Sequence, residues 1–184
     1  KQPEAFDTRR GLPTYARLAV YGGSVRGNLL GGIGNVEGAY YDSTKDRDGD
    51  DPNRPNSQLR ALAGYERELI ADLTAGFQYY AEWVQDYDRL IARSPAPQFE
   101  PDEVRQVVTS RLTYRLRRET LIPSIFVFVS PNDGDAHLRP SVAYKWSDTV
   151  AVTAGANVML GDDDTFFGQL ENNTNAYLRV RYSF

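Results

Sequence analysis

Apolar and polar residues alternate with a period of two along most of this chain, and no segment sustains a 3.6-residue period. The C-terminus shows the pattern best. Ala176, Leu178, Val180, Tyr182 and Phe184 fall on one side, and Tyr177, Arg179, Arg181 and Ser183 on the other. Successive side chains of a strand point to opposite faces, so such a strand separates an apolar medium from a polar one. Upstream, Val150, Val152, Ala154, Ala156 and Val158 oppose Thr153 and Asn157. Pro140, Val142, Tyr144 and Trp146 oppose Arg139, Ser141 and Lys145. Val108, Leu112, Tyr114 and Leu116 oppose Arg111, Arg115 and Arg117. Leu73–Trp83 and Leu59–Tyr65 alternate likewise, and weaker alternation marks Ala16–Val20 and Val36–Tyr40. Leu121–Val129 is apolar on both sides, and Ile125, Val127 and Val129 are assigned to the apolar face. The pattern predicts about nine strands.

The connections between these strands alternate in length. Gly31–Gly34, Glu68–Asp72, Arg118–Thr120 and Ser147–Asp148 are short. Asp42–Ser57, Asp86–Glu103, Ser130–His137 and Gly161–Thr174 are long and polar. Short turns at one end and long loops at the other are expected of an antiparallel transmembrane β-barrel, with the short turns periplasmic. The predicted fold is therefore all-β. No linker divides the chain, so residues 1–184 read as a single β-barrel domain or as the C-terminal fragment of a larger barrel. A closed antiparallel barrel has an even strand number and returns both termini to one side, so the odd count points to further strands upstream. The alternative count treats the first segment as a plug or extension and leaves one strand fewer.

Composition narrows the function classes. Lys and Arg number 21 and Asp and Glu 25, a net charge of −4, which leaves no basic excess for neutralising nucleic-acid phosphates. The mean hydropathy is −0.53, and no apolar run approaches the ~20 residues of a transmembrane helix. Barrel strands need only every second residue to be apolar and are not excluded. Cysteine is absent, so there is no disulfide framework and no thiolate metal site. His137 and Met159 are single examples of their types, which leaves little for histidine-based catalysis. An enzyme is not implied, and neither is a cofactor.

Four features could carry chemistry. The polar faces gather Arg111, Arg115, Arg117, Arg139, Lys145, Arg179 and Arg181, with Glu37, Glu66 and Glu82 on neighbouring strands. In a water-filled lumen such a wall sets ion preference, and the excess of positive charge favours anions. The other reading is that these charges pair with one another or with a plug or partner chain in the lumen. Asp46, Asp48 and Asp50 crowd the first long loop, and oxygen-rich Gly-containing clusters suit Ca²⁺; DRDGDD, however, is too short for an EF-hand and lacks its bidentate Glu. Solvated turn residues in external loops are the favoured explanation. Tyr79 and Trp83, with Tyr40 and Tyr87, approach the long-loop end. Tyr144, Trp146, Tyr182 and Phe184, with Tyr65, approach the short-turn end, as two membrane-interface girdles would. Ordinary β-propensity is the competing explanation. Finally, His137 stands near Ser130, Asp133 and Asp135, the residue types of an acyl-transfer triad, in what reads as one solvated loop with no nucleophile elbow.

The closing strand, ending Tyr182-Ser183-Phe184, resembles the terminal strand of Gram-negative outer-membrane β-barrel proteins, which end in alternating apolar residues and a final aromatic. The stretches GGIGNVEGAYYDS, GYERELIADLTAGFQYYAEWVQDYD and LRPSVAYKWSD are similar to the C-terminal half of large porin-like barrels of proteobacteria. The resemblance implies an outer-membrane location, contact with outer-membrane lipid, and recognition of the last strand by the barrel-assembly machinery. The expected function is passive passage or export of small anionic solutes. Two alternatives stay open: a soluble β-barrel binding a hydrophobic ligand, with the faces reversed, and a scaffolding barrel that sheathes a partner protein.

Overall fold

The computed structural model describes residues 4–7 and 12–184. A two-stranded hairpin, β1 (Glu4–Asp7) and β2 (Leu12–Tyr15), precedes the main sheet. The sheet contains β3 (Leu18–Leu29), β4 (Gly32–Ser43), β5 (Gln58–Ile70), β6 (Leu73–Val84), β7 (Val104–Tyr114), β8 (Leu121–Ser130), β9 (Asp135–Lys145), β10 (Val150–Leu160) and β11 (Asn175–Tyr182). A short helix, α1 (Tyr87–Arg93), and two 3₁₀ turns, Pro97–Phe99 and Gly168–Asn173, lie in the connections. All nine strands are antiparallel in one sheet, each beside its neighbours in sequence. The strands expected from the alternation are all present. The expected closure is not: β3 and β11 are the two edges of an open sheet.

Contacts divide the chain into two units, which are taken separately. Lys1–Val25, Val36–Leu62 and Tyr80–Arg105 form the first; Arg26–Asn35, Ala63–Tyr79 and Gln106–Phe184 form the second.

In the second unit the register fixes the faces of β7 to β11. Leu121, Tyr144, Val152 and Val180 are successive cross-strand partners, as are Pro123, Val142, Ala154 and Leu178. Ile125 pairs with both Leu112 and Pro140, and Val127 pairs with Leu138. Paired residues share a face, so Ile125, Val127 and Val129 do lie on the apolar side. On the other face Arg111 pairs with Phe126 and Phe126 with Arg139. Ala143, Thr153 and Arg179 form a second row, and Lys145, Ala151 and Arg181 a third.

The turns follow from local chemistry. Leu30 (φ 47°) and Gly31 (φ 78°) both take positive φ, as a two-residue type I′ hairpin requires, so the turn is tighter than the expected Gly31–Gly34. Arg117, Arg118 and Glu119 also have positive φ, and the Thr120 hydroxyl closes this turn on the Arg117 carbonyl at 2.8 Å. The expected long loop Ser130–His137 is only Pro131–Gly134. Gly134 (φ 67°) donates its N–H to the Ser130 carbonyl at 2.9 Å, and β9 begins at Asp135.

Little of the sheet is covered. The buried apolar residues among those described are Val84, Leu90, Val107 and Phe167. Val142, Tyr144, Leu178, Val180 and Tyr182 are exposed on the apolar face. Such a row on a soluble monomer would be an anomaly, since contiguous exposed apolar patches mark binding or membrane surfaces.

Candidate functional site

The basic residues of the polar face come together in the second unit. Arg111, Arg139, Lys145, Arg179 and Arg181 are exposed on the same side of β7, β9 and β11. Arg111 lies over the Phe126 ring, 5.4 Å from its centroid. Arg139, Lys145, Arg179 and Arg181 have no carboxylate partner among the described residues. Two expected members stand apart from this strand surface. Arg115 follows the end of β7, with its N–H donated to the Asp72 carbonyl at 2.9 Å, and Arg117 is part of the positive-φ turn. The turn geometry, not the alternation, decides where the Arg117 side chain goes.

Of the three acidic residues assigned to this wall, Glu82 and Glu37 belong to the first unit and Glu66 to the second. Glu82 is engaged: Arg60 Nε stands 3.4 Å from its carboxylate, and the Tyr80 hydroxyl donates to it at 2.8 Å. Arg60 Nη2 also donates to Gln58 Oε1 at 2.6 Å, and its guanidinium stacks on Tyr41, 4.1 Å from the ring centroid. This cluster borders a recess of about 460 Å³ lined also by Gly22 and Glu37. Arg60 is visible in the alternation, but its partners become visible only once the strands are paired.

The acidic first loop is folded and not merely solvated. Asp46 is buried, and its carboxylate accepts the N–H groups of Asp50 and Asp51 at 2.8 and 3.0 Å. Arg93 of α1 pairs with Asp50 at 3.1 Å, and Arg89 donates to the Asp48 carbonyl at 2.6 Å. The Asn53 N–H, with Arg54 beside it, holds the Asp51 carboxyl below the usual range. Burial, with acidic neighbours at Asp102, Glu100 and Glu103, pushes the Tyr87 hydroxyl up. Among the described residues no three His, Cys, Asp or Glu side chains group to hold a metal ion.

Ser130, Asp135 and His137 do not share a solvated loop. Ser130 ends β8, Asp135 starts β9 as its cross-strand partner, and His137 lies two residues on along the same face. Ser130 and Asp135 are fully buried. Ser130 Oγ, Asp135 Oδ1 and His137 Nε2 all lack hydrogen-bond partners. A Ser–His–acid relay needs a hydrogen bond from nucleophile to base, and none is present. Instead Asp135 Oδ2 accepts the Phe167 N–H, and the Phe167 ring lies 5.0 Å from Phe128 and 5.2 Å from His137. Sequence reading missed this cap. The Pro-Asn-Asp-Gly run was the signal that the loop before Asp135 is a tight turn.

Tyr40, Tyr79, Trp83, Tyr144, Trp146, Tyr182 and Phe184 are exposed, whereas Tyr65 is half-buried and donates its hydroxyl to the Leu30 carbonyl. Trp83 Nε1 donates to Glu103 at 3.2 Å and the Tyr79 hydroxyl to Gln106 at 2.7 Å. Tyr144 meets Trp146 edge-on at 6.2 Å, and Tyr182 stacks on Phe184 at 6.4 Å. Tyr87 sits on α1 and not at a strand end. On the apolar face a recess of about 580 Å³ is lined by Leu112, Ile125, Pro140, Val142 and Ala154.

No protein-family model, curated protein or solved structure matches this chain.

Proposed function

We propose that this chain forms part of the wall of a β-barrel in the outer membrane of a Gram-negative bacterium, and that the barrel passes small anionic solutes by passive diffusion or export. One observation carries the reading: a single sheet presents an uncovered apolar face on one side and an uncovered basic face on the other. Hydrocarbon covers the first at no polar cost, because the antiparallel ladder pairs the backbone within the sheet. Water hydrates the second. Positive charge within a Debye length, ~8 Å at physiological salt, raises the local anion concentration. The aromatic pairs Tyr144–Trp146 and Tyr182–Phe184 fit an interfacial belt at the short-turn end.

The test is the reversal potential of the full-length protein reconstituted in a planar bilayer under a salt gradient. An anion-selective potential, reversed or abolished by Arg139→Glu with Arg179→Glu, supports the reading. A cation-selective potential indifferent to both substitutions overturns it.

A second reading has one observation in its favour. The recess of about 580 Å³ on the apolar face suits a hydrophobic ligand in a soluble barrel with its faces reversed. Recovery of the full-length protein as a detergent-free soluble monomer would favour that reading over the channel.

A further inference from the structure

We propose that the row Arg111–Phe126–Arg139 is a binding ledge for a small amphipathic carboxylate, an aromatic ring joined to an acid group. The inference rests on the anionic-solute reading and names the solute class.

Phe126 and Phe128 are out of character on this face. A wall that only sorted ions by charge would need cations and water, yet the Phe126 ring sits between two arginines and Phe128 follows on the same face. Register places Phe126 opposite Arg111 on one side and opposite Arg139 on the other. Adjacent strands lie ~4.8 Å apart, so the two arginine-bearing strands flank the ring at a separation of ~10 Å. One arginine is already committed to the ring: the Arg111 guanidinium lies 5.4 Å from its centroid. The other, Arg139, is exposed and has no ion-pair partner among the described residues. Its planar fork of donors matches a carboxylate in two-pronged fashion.

The next row extends the apolar part of the ledge. Phe128 lies between Thr109 and His137, with Phe167 edge-on to it at 5.0 Å. Phe167, tied by its N–H to the buried Asp135 carboxylate, packs edge-on against Phe128. Phe126 is half-buried and keeps part of its ring accessible. An aromatic acid satisfies both halves together, with its ring against Phe126 and its carboxylate on Arg139. A short carboxylate gains only the charge, a neutral aromatic gains only the ring contact, and an amine meets like charge.

The experiment compares acetate, phenylacetate and benzyl alcohol as probes on the full chain folded in detergent micelles, by ligand-observed NMR. Phenylacetate is expected to bind about fivefold more tightly than either fragment, each of which lacks one of the two contacts. Arg139→Gln and Phe126→Leu should each weaken phenylacetate about fivefold. Arg118→Gln, in the turn before β8 and outside the basic face, should leave it unchanged. If acetate binds as tightly as phenylacetate, the ledge is refuted while the anion-favouring wall stands. Benzyl alcohol binding as tightly as phenylacetate removes the role of Arg139 and refutes the ledge, while the reversal potential still decides the anion-favouring wall. Absence of binding by all three probes also refutes the ledge, and this three-way comparison needs no variant to fold.

Discussion

Asp135 and Phe167 stand 32 residues apart in sequence, and the Asp135 carboxylate accepts the Phe167 backbone N–H at 2.7 Å in a buried setting. That bond folds the segment after β10 back onto the ends of β8 and β9. Gly161 (φ 144°) makes the approach possible, since a Cβ there would come within 2.7 Å of the Asp135 Cβ. The Phe167 ring then closes over His137 and Phe128.

Asp135→Ala should therefore free this loop. The substitution leaves a buried N–H without an acceptor, which costs about 1–3 kcal/mol, whereas Asp135→Asn retains an acceptor oxygen. Hydrogen exchange at the Phe167 amide is the measurement. Exchange should quicken strongly in Asp135→Ala and weakly in Asp135→Asn. Unchanged exchange in the alanine variant would mean that the loop is held by something else.

Ser130→Ala should behave in the opposite way. The Ser130 hydroxyl is buried without a hydrogen-bond partner, so it is a desolvation cost with no return. Its removal should be neutral or stabilise by up to about 1 kcal/mol. Denaturant titration of the two proteins decides the matter. A clear destabilisation would show that the hydroxyl is hydrogen-bonded through an internal water.

The assignment of faces makes a third expectation concrete. Val152 shares its row with Tyr144 and Val180, while Thr153 shares its row with Ala143 and Arg179. In lipid, Val152→Arg should cost about 2–4 kcal/mol if it lies near the bilayer midplane. Thr153→Arg should cost about 1 kcal/mol or less, mainly through repulsion from Arg179 opposite. Folding titrations into vesicles measure both. Equal costs would show that lipid does not distinguish the two faces.

The strands were legible in the sequence because a period of two survives wherever one face is apolar. Even the ambiguous Leu121–Val129 segment could be oriented through Ile125, and pairing with Leu112 and Pro140 agrees. What failed was set by features other than alternation. Arg117 continues the pattern of Arg111 and Arg115 in sequence but lies in a left-handed turn. Pro131–Gly134 reads as polar loop, yet Gly134 makes it a tight turn, which moves Asp135 and His137 into a strand. The Arg111–Phe126–Arg139 row was invisible for a different reason. Each strand announces its own faces, but which residues meet across strands depends on register, and register depends on turn length.

The simple order of the sheet bears on how it forms. Every strand from β3 to β11 pairs only with the strands before and after it in sequence. No strand waits for a distant partner, so ordering can spread hairpin by hairpin from more than one starting point, and most of the entropy of loop closure is met in short steps. The costly closures are those across residues 44–57, 85–103 and 161–174, which join β4 to β5, β6 to β7 and β10 to β11. The same order makes the sheet modular. Deleting or duplicating a terminal hairpin leaves every other pairing with its own turn and its own register, so such a protein can change width without being rethreaded.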